Sequence, residues 1–125
     1  MRRLGELETA IMQVVWSSAG PVTVRGVLGR LDRDPEPAYT TVMTVMDNLH
    51  RKGMVVRERD GRAWAYQSAQ PREDFEAESM ASVLETAADR DATLLSFIGK
   101  ISPDELTRLR DLMDSRGEGS RGERP

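Results

Sequence analysis

The stretch from Ala38 to Gly53, AYTTVMTVMDNLHRKG, constrains this chain more than any other, because it reads as one helix with two unlike faces. Val42, Val45, Met46 and Leu49 recur at the spacing of neighbours on one side of a helix, a stripe suited to a core. Thr40, Thr44, Asp47 and Arg51 fall on the opposite side. A basic cluster, His50, Arg51 and Lys52, follows before Gly53 offers a C-terminal stop. Threonine can hydrogen-bond base edges or touch a thymine methyl, and Arg or Lys at the helix end can reach phosphates. An ordinary solvated helix face has the same pattern, so the neighbouring elements have to decide.

Ahead of this stretch, Leu4, Leu7, Ile11, Val14 and Val15 predict a first helix from Leu4 to Ala19, ended by Gly20-Pro21. Trp16 near its end reads as core or domain-junction packing. Thr23 can cap a second helix carrying Val24, Val27, Leu28 and Leu31, which Gly26 and Gly29 weaken enough that it needs neighbours. Asp32 to Pro37, DRDPEP, is a loop, since two prolines forbid a continuing helix. After the third helix, Val55 to Arg59 and Arg62 to Tyr66 have strand character around the turn signal Asp60-Gly61. That turn would set Arg59 opposite Arg62, Arg57 opposite Trp64 and Val55 opposite Tyr66, with Trp64 and Tyr66 on the side that covers the core. Like charges opposed at the tip repel, and a polyanion would relieve them; a plain surface hairpin with Arg57 packed on Trp64 is the other reading. Three helices followed by a basic-tipped hairpin form a winged helix, and the joint pattern favours DNA.

Gln70-Pro71 reads as a hinge, after which helix resumes. From Glu73 to Asp89 the stripe Ala77, Met80, Ala81, Leu84 and Ala88 is thin, whereas Leu94, Leu95, Phe97, Ile98 and Ile101 make a short, very apolar segment. Ser102-Pro103-Asp104-Glu105 is a capping box with proline at the first helical position, opening a helix with Leu106, Leu109, Leu112 and Met113 inward. Segments this small bury too little surface to stand alone, so their apolar residues are expected to meet a second copy of the chain. The expected fold class is mainly α with a small β-hairpin: an N-terminal winged helix-turn-helix over 1–70, a C-terminal helical dimerisation region over 71–116, and a disordered tail over 117–125.

Bulk charge excludes an argument from overall basicity, since the 125 residues sum to −3. Residues 1–70 carry ten Arg or Lys against eight Asp or Glu, and 71–125 carry eight against thirteen, so the front is +2 and the rear −5. The front is therefore the polyanion partner. Without cysteine there are no disulfides, thiolate metal sites or cysteine nucleophiles. Glu6 and Glu8 interrupt any signal peptide after Met1-Arg2-Arg3, and no apolar run approaches a membrane span, so a cytoplasmic protein is expected without membrane insertion. His50, amid basic residues at a helix end, suits a surface or phosphate-contact role better than general-base chemistry. No phosphate loop, metal cluster or nucleophile motif appears, so no enzyme, metal or cofactor is expected.

The words LGELETAIMQVVW, AYTTVMTVMDNLHRKGMV and RDGRAWAY together resemble the penicillinase repressor family of bacterial transcription regulators, the BlaI/MecI/CopY group, from Leu4 to about Met113. The resemblance implies a winged helix joined to a helical dimerisation region, binding palindromic operator DNA as a homodimer and repressing beta-lactam-resistance or cell-envelope genes. It implies DNA-facing roles for Thr40, Thr41, Met43 and Thr44 and a wing role for Arg62; Asp47, Asn48, Arg51, Lys52 and Arg59 complete the expected DNA-binding set. It also implies derepression through loss of the dimer, by a penicillin-sensing membrane metalloprotease cutting in the dimerisation region. The matching bond is Ser96-Phe97, with serine where the family has asparagine. The expected dimer contacts are Met80, Leu84, Leu94, Leu95, Phe97, Ile98, Ile101, Leu106, Leu109 and Leu112. Copper-responsive members carry C-terminal cysteines, which this chain lacks.

A different class stays open: a winged-helix module that binds protein and not DNA. Changing Arg59 and Arg62 to Ala separates the two, since DNA binding would weaken and its salt dependence flatten. A cut after Gln70 is expected to leave a folded monomeric head with weak operator affinity.

Overall fold

The computed structural model describes residues 4–122 of the chain. The order is α1 (Glu6–Ser17), β1 (Val22–Thr23), α2 (Val24–Arg30), α3 (Tyr39–Arg51), β2 (Val55–Asp60), β3 (Ala63–Ser68), α4 (Arg72–Glu85), α5 (Arg90–Ile98) and α6 (Pro103–Gly122). This is the winged helix expected, followed by helices.

Local chemistry places the boundaries. The Thr23 side chain accepts from the Gly26 N–H at 3.1 Å and so caps α2. At the end of α3, Gly53 takes φ 77° and lets the Met54 N–H return to the Leu49 carbonyl at 2.9 Å. That reversal sends the chain straight into β2. The sheet has the order β1-β3-β2, all antiparallel, with Val22 beside Tyr66 and Thr23 beside Ala65. β1, too short to show a period, was not foreseen.

The hairpin register differs from the expected one. Asp60 pairs with Ala63, Arg59 with Trp64, Arg57 with Tyr66 and Val55 with Ser68, so Gly61-Arg62 forms the turn. Gly61 has φ 63° while no residue other than glycine has positive φ among the described residues. An Asp60-Gly61 turn of the twisted hairpin type would force Asp60 into the left-handed region; glycine in the first turn position confines that demand to glycine. The slip moves each partner by two residues and therefore keeps the faces. It corrects one inference: Arg59 and Arg62 are not cross-strand partners, so their charges are not directly opposed across the ladder.

The core lies between α1, α2, α3 and one face of the sheet. Ile11, Met12 and Val15 of α1 meet Val24 and Val27 of α2, Val42, Met46 and Leu49 of α3, and Met54, Val55 and Tyr66 of the hairpin. No buried polar or charged residue interrupts it among the described residues. By its internal packing this first compact unit runs through Ser82 and takes in the start of α4. The reason is aromatic: Phe75 of α4 lies 5.5 Å from the Trp16 ring, and Trp16 Nε1 donates to the Gln70 carbonyl at 3.3 Å. Trp16 thus packs at the edge of the core, one of the two placements its position suggested.

The second unit begins at Val83. Asp89 caps α5 by accepting from the Ala92 N–H at 3.0 Å, and Ser102 caps α6 by accepting from Glu105 at 3.2 Å. α6 continues to Gly122. Residues 123–125 lie outside the described residues. Among the described residues no helix is long and apolar enough to cross a membrane.

Candidate nucleic-acid interface

With Val42, Met46 and Leu49 fully buried, α3 has no freedom to roll, and its opposite face is fixed outward. Thr40, Thr41, Met43 and Thr44 are exposed there, as a threonine-rich first turn and a half, with Met43 43% exposed. Tyr39 heads the helix, also exposed, and the Arg25 guanidinium of α2 sits 5.2 Å from its ring centroid. Arg25 and Tyr39 were not among the expected residues. An aromatic at the first exposed position of a recognition helix was the signal that could have found them.

One turn on, the face becomes ionic. Asp47 Oδ2 pairs with Arg51 Nη2 at 3.2 Å, and Asp47 Oδ1 accepts from Arg57 Nη1 at 3.2 Å. Arg51 Nη2 also donates to Asn48 Oδ1 at 2.6 Å. Lys52 turns to α1, where its Nζ donates to both Glu8 oxygens at 2.8 Å. So Asp47, Asn48, Arg51 and Lys52 sit together at the helix end, each already engaged within the protein. The structure brings them beside the threonines, and it makes Lys52 a clasp between α3 and α1 as well.

Burial would raise the Glu8 carboxyl, but the Gly5 N–H and then Lys52 outweigh it and hold it below the ordinary 4.5. Arg57 is raised above its usual range, first by hydrogen bonding to Tyr66 and further by Asp47, against burial. It stays charged under all ordinary conditions.

The wing is organised by one ring. The guanidinium groups of Arg57 and Arg59 each lie 4.4 Å from the Trp64 centroid, and Arg59 Nη1 donates to the Arg62 carbonyl at 3.1 Å. Arg62 occupies the turn and is exposed. The packing of Arg57 on Trp64 is therefore present even though Tyr66 is its cross-strand partner. The resulting surface joins hydroxyls, a thioether and guanidiniums along α3 and the wing, the side-chain types that meet base edges and phosphates. Among the described residues no group of three or more His, Asp or Glu is placed to hold a metal ion.

The expected dimer residues are a separate set. Leu95, Phe97, Ile98, Leu109 and Leu112 are exposed, as is Met80, while Leu84, Leu94, Ile101 and Leu106 are half-buried. The Ser96-Phe97 bond lies in the last turn of α5, with both side chains exposed.

Comparison with known proteins agrees with this geometry. The chain is 38% identical over 128 residues to the protein named transcriptional regulator BlaI in two strains of Mycobacterium tuberculosis, a match spanning all of this chain and 92% of theirs. Its fold is similar to the solution structure of the DNA-binding domain of the repressor BlaI, with TM-score 0.50 and 21% identity, over 59% of this chain and 93% of that one. The penicillinase repressor family model matches residues 4–115, and the chain belongs to that family.

Proposed function

We propose that this protein is a DNA-binding transcriptional repressor, no enzyme, which grips a palindromic operator as a homodimer and lets go when the dimer is lost. The observation that carries the reading is the exposed threonine-and-guanidinium face of α3 beside the arginines of the wing. Membership of the penicillinase repressor family supports it. In the complex, Thr40, Thr41, Met43 and Thr44 read the major groove, while Arg51, Arg59 and Arg62 meet phosphates. Half-sites then lie about one helical turn apart, or a small multiple of it.

The dimer supplies the affinity. α5 and α6 leave Leu95 73% exposed and Leu112 64% exposed, a waste of apolar surface for a lone chain. A second copy is the occupant proposed here. Linking two heads raises overall affinity by about 10² to 10⁴ without a new contact. Any event that parts α5 and α6 therefore releases operator without touching α3. Cleavage at Ser96-Phe97 by a penicillin-sensing membrane metalloprotease is the route we carry over from the family; that bond is helical, so the last turn of α5 must open before a protease can cut it. The genes so controlled would serve beta-lactam resistance or the cell envelope.

The test compares the full chain with one ending at Ser82, the limit of the first compact unit. Sedimentation gives the oligomeric state, and fluorescence anisotropy gives affinity for a duplex selected by the full chain from a random pool. The full chain should sediment as a dimer and bind about 10²-fold or more tighter than the shortened one. Equal affinity, or a monomeric full chain, refutes the reading.

A further inference from the structure

Asp47 is the anomaly of the reading face. A carboxylate in a major groove is repelled by the phosphates on either side, and only an exocyclic base amine would welcome it. Yet both of its oxygens face guanidiniums of this same chain: Oδ1 that of Arg57 on β2, and Oδ2 that of Arg51 one turn along α3. Exposed ion pairs add little to stability, and Asp47 is 45% exposed, so fold maintenance does not explain the arrangement. Its geometry offers a better account. Arg57 is only 23% exposed and is held over Trp64, which also carries Arg59, and Arg59 donates to the carbonyl of the turn residue Arg62. A single line of contacts thus runs from the middle of α3 to the wing tip, with Asp47 as its anchor on the helix.

We propose that Asp47 is a specificity-determining positioning residue: it touches no base, but braces the wing against the recognition helix and masks one of the two positive charges of Arg51 and Arg57. The first action fixes where the wing arginines stand relative to the threonines. The second withholds Arg51 from any phosphate that happens to be near. Arg51 must leave Asp47 and Asn48 to make a phosphate contact, and only a duplex that also satisfies the threonine face compensates that loss. Discrimination between sequences rises while attraction to DNA in general falls. This rests on the DNA-binding reading above.

The test is Asp47→Asn in the full chain, which keeps the shape of the side chain and removes its charge. Affinity is measured for a duplex selected by the wild-type protein from a random pool and for a scrambled duplex of equal length, across salt concentrations. A freed guanidinium adds about one phosphate contact per head, steepening the salt slope by about 0.9 and tightening scrambled-duplex binding by about eightfold per head at 0.1 M salt. The ratio of selected to scrambled affinity should fall. A second variant, Arg57→Gln, breaks the brace without adding charge, so the ratio should fall with no gain on scrambled DNA. If Asp47→Asn lowers the ratio with scrambled binding unchanged, Asp47 contacts a base and the proposal is overturned. An unchanged ratio in either variant also overturns it. Failure of the wild-type protein to select any duplex is a separate result, which defeats the DNA-binding reading itself.

Discussion

Replacing Phe75 with Ala tests whether the start of α4 belongs to the DNA-reading unit. Phe75 is half-buried against Trp16, at 5.5 Å between centroids, and Trp16 in turn donates to the Gln70 carbonyl at 3.3 Å with the Arg72 guanidinium 5.7 Å from its ring. An aromatic pair contributes about 0.5–1.5 kcal/mol beyond area burial, and a fully buried phenylalanine costs about 3–5 kcal/mol when cut to alanine. Phe75 is packed at the edge of the core and not within it, so the loss should be about 1–2 kcal/mol. For a unit of this size that lowers the melting temperature by roughly 4–16 °C. Urea unfolding followed through Trp16, in a Trp64→Phe background so that the wing tryptophan is silent, reads the change directly. Amide exchange in the first turn of α4 should rise in parallel. A loss below about 0.3 kcal/mol, with Trp16 emission unmoved, would refute the docking of the start of α4.

The Glu8 carboxylate sits below its ordinary 4.5, so the stability it lends is present above that value and vanishes as pH falls through its lower folded-state value. Glu8→Gln should therefore destabilise the protein by up to about 1 kcal/mol at neutral pH and match the parent in acid, as unfolding curves at several pH values will show. Arg59→Ala with Arg62→Ala should weaken DNA binding and cut the salt slope by about 2 per head; unchanged binding would favour a protein-binding module. Met46, fully buried on α3, should lose about 2–5 kcal/mol on change to Ala, and a tolerant response in thermal melts would contradict the packing of the recognition helix.

Elements governed by neighbours a few residues apart were legible before any coordinates. The stripe of α3, the Thr23 and Ser102 caps and the stop at Gly53 each depend on a local pattern, and each is where the pattern placed it. The turn was half legible. Glycine at 61 announced a hairpin, yet the residue that must take positive φ was assigned one place too late in the turn, and every cross-strand partner moved with it.

What the sequence alone determined is the order of the elements other than β1, the buried side of α1, α2 and α3, and the chemistry of the exposed side of α3. These follow from the fixed periods of helix and strand, which local residues obey wherever they end up. Tertiary structure alone decided the partners: Asp47 with Arg57, Lys52 with Glu8, Trp16 with Phe75, and β1 with β3. Such pairs join residues of different elements, and no period links them; only the folding of α1, α3, α4 and the sheet onto one core sets their distances.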